Sequence, residues 1–395
     1  MNKFCFVIHP LSFEDIARYE PGAKGKGEAI LGKIMEWMPP YAAVHVTGVR
    51  TPDGRETEGW FVAAPLLPQQ LVEFPREEVY RRVVRAIEIG AELGAQVAGL
   101  GAFTAVVGDA GVTINARSPI PVTTGNSLTI AAGVESLFRG AGEMGIDWAR
   151  STAVVIGATG SIGSACARMI APRVERLVLV ARNETRLRKF HDEVAGTLTC
   201  ASEYTTDISS AVRRAQLILT ATTSTQDVIE PAELRTGAVV CELSLPHDVG
   251  RRVARERPDV LVIEGGNMVV PGNPRFERVR EPGTQFDLNL PARTALACMA
   301  ETMILALEGR FEPFTLGRGI QLEKVIEIQS LAARCGFTLA DMRAFDAAIT
   351  PQRMAATREA AAARVALSLS SSDGVDPQRS RKTADDTLRT GVVEG

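Results

Sequence analysis

An α/β fold built around a doubly wound parallel sheet is predicted by three observations. Two apolar, strand-like runs flank a glycine-punctuated turn between residues 152 and 182. Short apolar runs then recur at 197 to 200, 216 to 220, 238 to 242 and 260 to 264, separated by helical segments, which is the alternation of βαβ units. The stretches before 150 and after 290 lack that alternation, so they form separate parts: an N-terminal mixed α/β domain over 1–150 and C-terminal helices over 291–345.

The N-terminal part opens with a strand at 4 to 8. Residues 43 to 49 and 59 to 64 read as a hairpin joined through Pro52-Asp53-Gly54. Helical periodicity in Val79, Val83, Val84, Ile87 and Ile89 predicts a helix over 76 to 93, stopped by Gly94. Thr124-Gly125-Asn126-Ser127 opens a further helix to about Met144, a bridge between a substrate domain and a dinucleotide domain.

The central part, 151–290, begins Thr152-Ala-Val-Val-Ile156, then Gly157-Ala-Thr159-Gly160-Ser161-Ile162-Gly163, an Ala-rich helix to about Ile170, and Leu177-Val-Leu-Val-Ala181-Arg182-Asn183. This is a strand, a turn, a helix and a second strand. Gly157 permits the tight turn, Gly160 lets backbone N–H groups approach a pyrophosphate, and Gly163 allows the helix to pack closely on the strand. Together they predict a dinucleotide-binding Rossmann domain. An NAD site places a carboxylate at the end of the second strand, where this chain has Arg182; a guanidinium pairs with a 2′-phosphate, so the expected cofactor is NADPH. The loops after later strands, with Thr222 in one and Gly265 in another, are expected to face the nicotinamide half.

After 290, a helix over 291 to 309 is introduced by Pro291 and stopped at Gly309, and another over 320 to 335 ends before Gly336. The Ala-, Arg- and Ser-rich composition of 346–395 predicts a disordered tail after at most one loose helix.

Composition excludes several function classes. A net charge of −3 without a basic, aromatic-studded surface motif argues against nucleic-acid binding. Six cysteines without a CxxC pair predict neither a structural zinc nor a disulfide framework, and point to a reduced, cytoplasmic setting. No apolar run is long enough for a signal peptide or a membrane span.

Hydride transfer needs partner chemistry. Cys298, within Ala297-Cys298-Met299-Ala300-Glu301, reads on composition alone as a buried small hydrophobe. With the helix taken from Pro291 it lies about two turns in, too far for the helix N-terminus to lower its pKa much. Glu301, one turn on, is a candidate proton-transfer group or a solvated helix carboxylate.

At these residues the chain resembles the long-chain acyl-[acyl-carrier-protein] reductases that supply fatty aldehydes to bacterial alkane synthesis. The resemblance spans most of 1 to 340. It is carried by Phe6-Val-Ile-His9-Pro-Leu-Ser12, Gly99-Leu-Gly101-Ala-Phe103-Thr104, Thr123-Thr124-Gly125-Asn126, the glycine turn, Ala181-Arg182-Asn183, Gly265-Gly266, the segment from Ala297 to Gly309, and Phe314-Thr-Leu-Gly317-Arg318. It implies that Cys298 is the nucleophile: the thiol takes the acyl group from a carrier-protein or coenzyme A thioester, and NADPH reduces the enzyme-bound thioester to an aldehyde. It also implies that backbone N–H groups near 101 to 104, Thr104 itself, or the Asn126 amide stabilise the oxyanion.

The expected partners are an acidic acyl carrier protein, docking on Arg251, Arg252, Arg255 and Arg257 or on Arg275, Arg278 and Arg280, and an aldehyde-consuming enzyme. A long acyl chain further implies an apolar tunnel lined by the N-terminal domain and the 291 to 309 helix. The segment from Glu242 to Asp248 departs from the more glycine-rich form of the family, and the tail lies outside the resemblance. His9 reads as structural. Two other readings stay open: an NADP-dependent alcohol or hydroxyacid dehydrogenase of shikimate or quinate type, which needs no cysteine, and a non-catalytic NADP-binding regulator.

Overall fold

The structure, a computed structural model, describes residues 1 to 224, 226 to 244 and 247 to 372. The chain order begins β1 (Asn2–Ile8), α1 (Phe13–Tyr19), α2 (Glu28–Trp37), β2 (Tyr41–Arg50), β3 (Glu56–Ala63), α3 (Pro68–Glu73), α4 (Arg76–Glu92), β4 (Val97–Leu100), α5 (Val112–Arg117), β5 (Val122–Thr123) and α6 (Asn126–Glu143). The expected hairpin forms, β2 pairing antiparallel with β3, and β1 pairs parallel with both β3 and β4. Strand β1 is buried on both faces. Phe4 and Phe6 point into one apolar cluster while Cys5 and Val7 point into another against α4, the two-residue alternation of a pleated strand.

The second sheet comprises β6 (Thr152–Ile156), α7 (Ser161–Ile170), β7 (Arg176–Val180), α8 (Glu184–Val194), β8 (Ala201–Thr205), α9 (Ile208–Arg214), β9 (Leu217–Thr220), β10 (Val239–Glu242), α10 (Arg251–Glu256) and β11 (Leu261–Glu264). Its strands are all parallel, in the order β11-β10-β9-β6-β7-β8. That is the Rossmann order, with its switch point between β6 and β9. The strand expected at 197 to 200 begins instead at Ala201, because residues 194 to 198 still close the turn out of α8.

The boundary expected at 290 falls earlier. After β11 come β12 (Asn267–Val269), β13 (Gly272–Arg278) and β14 (Thr294–Leu296), and β13 returns to the first sheet as the edge strand beside β2, giving the order β13-β2-β3-β1-β4-β5. The helix expected from Pro291 starts later. Thr294 to Leu296 pair with β12, and this ladder overrides the helical pattern until α11 (Ala297–Leu307) begins. Helix α12 (Leu322–Cys335) ends at Gly336 in the left-handed conformation, as its sequence predicts.

Beyond it, β15 (Thr338–Leu339) joins β12, β16 (Arg343–Ala344) and β17 (Ala347–Ala348) form a short hairpin, and α13 (Pro351–Ser372) closes the described chain. Part of the expected tail is therefore regular structure. Met354 and Thr357 bury against the rest of the chain, and Arg358 donates to the Glu143 carbonyl at 3.0 Å. Residues 373 to 395, the remainder of that expected tail, lie outside the described residues.

Helix α6 joins the two sheets. Its N-terminal half packs on α11, and Gly133 and Gly140 further along let Leu243 and Ile263 of the Rossmann half approach its backbone. Among the described residues no helix is long and apolar enough to cross a membrane.

Candidate functional site

Cys298 is the second residue of α11, not a residue two turns in. The shortened helix therefore puts the sulfur beside free backbone N–H groups at the positive end of the helix dipole. The preceding residue is tied to the Rossmann half: Ala297 N–H donates to the Gly266 carbonyl at 2.7 Å, in the loop that leaves β11. On its other side Cys298 meets Gly125, whose φ of +71° starts α6; a Cβ there would overlap the Cα and Cβ of Cys298. The cysteine thus sits at the junction of the two sheets.

Of the six free thiols, only Cys200 and Cys298 keep exposed surface, and Cys200 lies in the turn before β8. Burial pushes the Cys298 thiol up to about 12, the neighbouring Glu301 carboxylate adds to this, and backbone N–H donation from Met299 opposes it. Without a ligand the sulfur is a protonated thiol.

Glu301 does not face solvent. It is fully buried; Oε1 accepts from the Thr123 hydroxyl at 2.5 Å and the Thr315 hydroxyl at 2.9 Å, and Oε2 accepts from Leu128 N–H at 2.8 Å. Burial raises its pKa against these bonds. Because Gly125 has no side chain to cap α6, this carboxylate from a distant helix supplies the N-terminal cap. Its geometry is that of a residue holding α11, α6 and the 123 to 125 turn together.

Asn126 is the first residue of α6, and the cap position belongs to Gly125. The Asn126 amide is mostly buried and has no hydrogen-bond partner among the described residues. Thr104 is different: its hydroxyl donates to the Gly101 carbonyl at 2.7 Å and accepts from Gly101 N–H at 3.0 Å, and its own N–H goes to the same carbonyl. Its polar groups are spent on the loop. That loop is also gripped by His9, whose Nε2 accepts from Phe103 N–H at 3.1 Å while Nδ1 donates to the Pro10 carbonyl at 3.0 Å. Burial lowers the His9 pKa to about 4, so the ring is neutral.

In the glycine turn, Gly157 has φ +86° and a Cβ on it would come 2.8 Å from the Ala221 carbonyl carbon; one on Gly163 would come 2.8 Å from the Gly157 carbonyl carbon. Gly160 caps α7, whose first turn holds Ser161, Ile162 and Gly163. The Thr159 carbonyl accepts from Arg186 at 2.8 Å. Asn183 caps α8 by accepting from Arg186 N–H at 2.9 Å. Arg182 is exposed and has no partner among the described residues.

Thr222, just past β9, donates its hydroxyl to Asp248 Oδ1 at 2.5 Å and its N–H to Ser244 Oγ at 2.8 Å. Gly265 packs against Cys241, and its N–H donates to the Glu242 carbonyl at 2.8 Å. The segment that departs from the family pattern is a buried network. Asp248 accepts from Ser244, and Glu242 accepts from Val249 N–H at 2.9 Å and pairs with His247 at 2.9 Å; residues 245 and 246 lie outside the described residues.

The arginines expected at a docking patch are largely engaged within the chain. Arg257 is buried against Asp259, Arg278 donates to the carbonyls of Arg18 and Tyr19, and Arg280 lies over the Tyr41 ring. Arg251 and Arg252 pair with Asp346 and Glu230; Arg275 pairs with Glu277; of the seven, Arg255 alone has no ion pair, hydrogen bond or ring contact from its side chain among the described residues.

The sheet order and glycine turn define a Rossmann-type NAD(P)-binding fold. Comparison with known proteins agrees: the profile of the Shikimate / quinate 5-dehydrogenase family matches residues 139–264. Aminotransferase PigE of Serratia sp. is 33% identical over 307 residues, 76% of this chain. The chain spans 34% of the length of that relative. The long-chain acyl-[acyl-carrier-protein] reductase of Synechococcus elongatus is 28% identical over 310 residues, covering 76% of this chain and 87% of that protein. Among solved structures, the L-tryptophan dehydrogenase of Nostoc punctiforme aligns over 93% of this chain and 89% of its own at 10% identity, with a TM-score of 0.39.

Proposed function

We propose that the chain is an NADPH-dependent oxidoreductase that reduces an acyl thioester to an aldehyde through a thioester on Cys298. The observation that carries this reading is the place of Cys298, at the head of α11, between Gly125 of one half and the Gly266 loop at the carboxyl edge of the Rossmann sheet. Ligands of such sheets lie beyond that edge.

The glycine turn fits a pyrophosphate. Three positions leave no room for side chains or frame the start of α7, and Arg182, a cation with no partner among the described residues, follows the adjacent strand where a 2′-phosphate needs one. When bound, NADPH supplies the hydride.

The chain's own residues do the rest. The Cys298 sulfur attacks the thioester carbonyl, the carrier's thiol leaves with the cysteine proton, and an acyl-enzyme remains. One sulfur replaces another, so this exchange is close to neutral. After reduction of the carbonyl carbon the C–S bond breaks, aldehyde departs, and the electron pair returns to sulfur, which takes a proton. The oxyanion formed in each half accepts from N–H groups at the head of α11 and from the Asn126 amide. Glu301 is a positioning residue, and Thr104 shapes the loop beside the site. The acyl donor is a carrier-protein thioester, as in the name of the Synechococcus relative.

A second reading, a hydroxyacid dehydrogenase of the shikimate or quinate type, is favoured by the family profile, which ends at residue 264 before any of the Cys298 segment. NADPH oxidation by purified protein with acyl thioesters, with aldehyde trapped as its hydrazone, separates the two. Loss of both signals in Cys298→Ala supports the covalent route; equal turnover by the variant removes it.

A further inference from the structure

The segment from Glu242 to Asp248, which departs from the family pattern, has no part in the thioester chemistry. It follows β10, and the strand order β11-β10-β9 puts it between the Thr222 loop after β9 and the Gly265 loop after β11. Both neighbouring loops are tied to it. Thr222 donates its hydroxyl to Asp248 and its N–H to Ser244, both buried, and Gly265 N–H donates to the Glu242 carbonyl at 2.8 Å. Ligands of a doubly wound sheet lie beyond this edge, so the segment borders the crevice where the nicotinamide half of a cofactor is expected.

Glu242 fixes one side chain there. Its carboxylate, 2% exposed, accepts from the N–H groups of Asp248 and Val249, the latter at 2.9 Å, and from His247 Nδ1 at 2.9 Å. An ionised carboxylate only accepts, so the ring hydrogen facing it lies on Nδ1. The other ring nitrogen, Nε2, has no partner among the described residues, and the side chain is 42% exposed. A buried acid thus holds a half-exposed imidazole in one orientation.

The charges around the ring favour its protonated form. The bond to Glu242 raises the His247 pKa above the ordinary histidine value against burial, and Glu264 of β11 and Asp346 beyond β16 add to this. Those two carboxylates are themselves paired, with Arg343 and Arg251. Burial and, more weakly, Asp248 raise the Glu242 carboxyl, while the His247 bond opposes them. The proton of the pair therefore sits on the ring.

Resting on the nicotinamide-cofactor part of the proposed function, we propose that His247 is a cofactor-binding residue whose Nε2–H donates to the nicotinamide carboxamide oxygen, with Glu242 as its positioning residue. A ring that has lost its Nε2 proton presents a lone pair to that oxygen and repels it. Cofactor affinity therefore falls as pH rises through the His247 pKa, and by linkage the cofactor raises the ring's proton affinity by the same factor. The nicotinamide is common to NADH and NADPH, so both weaken alike, unlike the loss at Arg182.

The test uses the full chain with its four histidine rings labelled with carbon-13, the His247 signal being assigned by its loss in His247→Ala. The ring is titrated free and saturated with NADPH, and the affinities of NADPH and NADH are measured by nicotinamide fluorescence at pH 7 and pH 9. The proposal expects NADPH to raise the proton affinity of His247 at least fivefold, and both cofactors to bind at least fivefold more weakly at pH 9 than at pH 7. His247→Ala should bind both weakly at either pH, and Glu242→Gln should bring the ring titration and the loss of affinity to lower pH. A His247 signal that does not move when NADPH binds, or parent-like affinity and pH dependence in His247→Ala, overturns the proposal and leaves the cofactor reading intact. A parent chain that binds neither cofactor removes both.

Discussion

Gly125 lies against Cys298 so closely that no side chain fits between them: a Cβ at 125 would overlap the Cys298 Cα and Cβ and stand 2.8 Å from its carbonyl oxygen. The same residue has φ +71°, which costs a non-glycine residue about 1 to 2 kcal/mol. Gly125→Ala is expected to lower stability by about 2 to 3 kcal/mol, adding that strain to overpacking. Acyl transfer should fall at least tenfold with NADPH affinity unchanged. Chemical denaturation and cofactor titration check both halves; parent-like acyl transfer would show that the contact does not set the thiol's position.

Glu301 takes its bonds from three separate elements, so removing it strands buried donors. Glu301→Ala should cost about 2 to 3 kcal/mol, and Glu301→Gln, which keeps an acceptor, about half as much or less. If Ala and Gln variants unfold at the same denaturant concentration as the parent chain, the carboxylate does not cap α6.

His9 gives a pH signature. Its folded pKa is about 4 against 6.5 unfolded, so between those values the unfolded chain binds the additional proton and stability falls as pH drops, levelling off below about 4. The loss from this residue approaches 3 kcal/mol. His9→Gln should remove that part of the acid sensitivity. Equal slopes of stability between pH 6.5 and 4 in both proteins would contradict a neutral, buried ring.

Arg182 stands at the strand end without a partner among the described residues. Arg182→Ala should weaken NADPH binding by about 1.5 to 3 kcal/mol and leave NADH nearly untouched. Fluorescence titration with both cofactors decides it, since an unchanged preference would place the 2′-phosphate elsewhere.

Most of the fold was legible because its signals are local. Apolar strands between glycine turns mark the Rossmann sheet, and the 76 to 93 periodicity with Gly94 marks α4. What was not legible depends on pairing across long separations. Nothing local announces that residues 272 to 278 return to the first sheet, or that Thr294 to Leu296 pair with β12 and so delay α11.

That one strand decides where Cys298 sits, since it moves the thiol from mid-helix to the helix head. The place of Glu301 was equally hidden: its partners Thr123 and Leu128 lie 178 and 173 residues before it in the chain. Part of the terminal tail, judged by composition alone, folds because two residues of α13 find an apolar surface.

The most direct measurement is intact and peptide mass spectrometry of the chain mixed with an acyl thioester and no reductant. The account predicts one added acyl group, on the tryptic peptide containing Cys298, removed on addition of NADPH and absent in Cys298→Ala. An unmodified Cys298 in protein that still turns the thioester into aldehyde, or an acyl group on Cys200 instead, would contradict it.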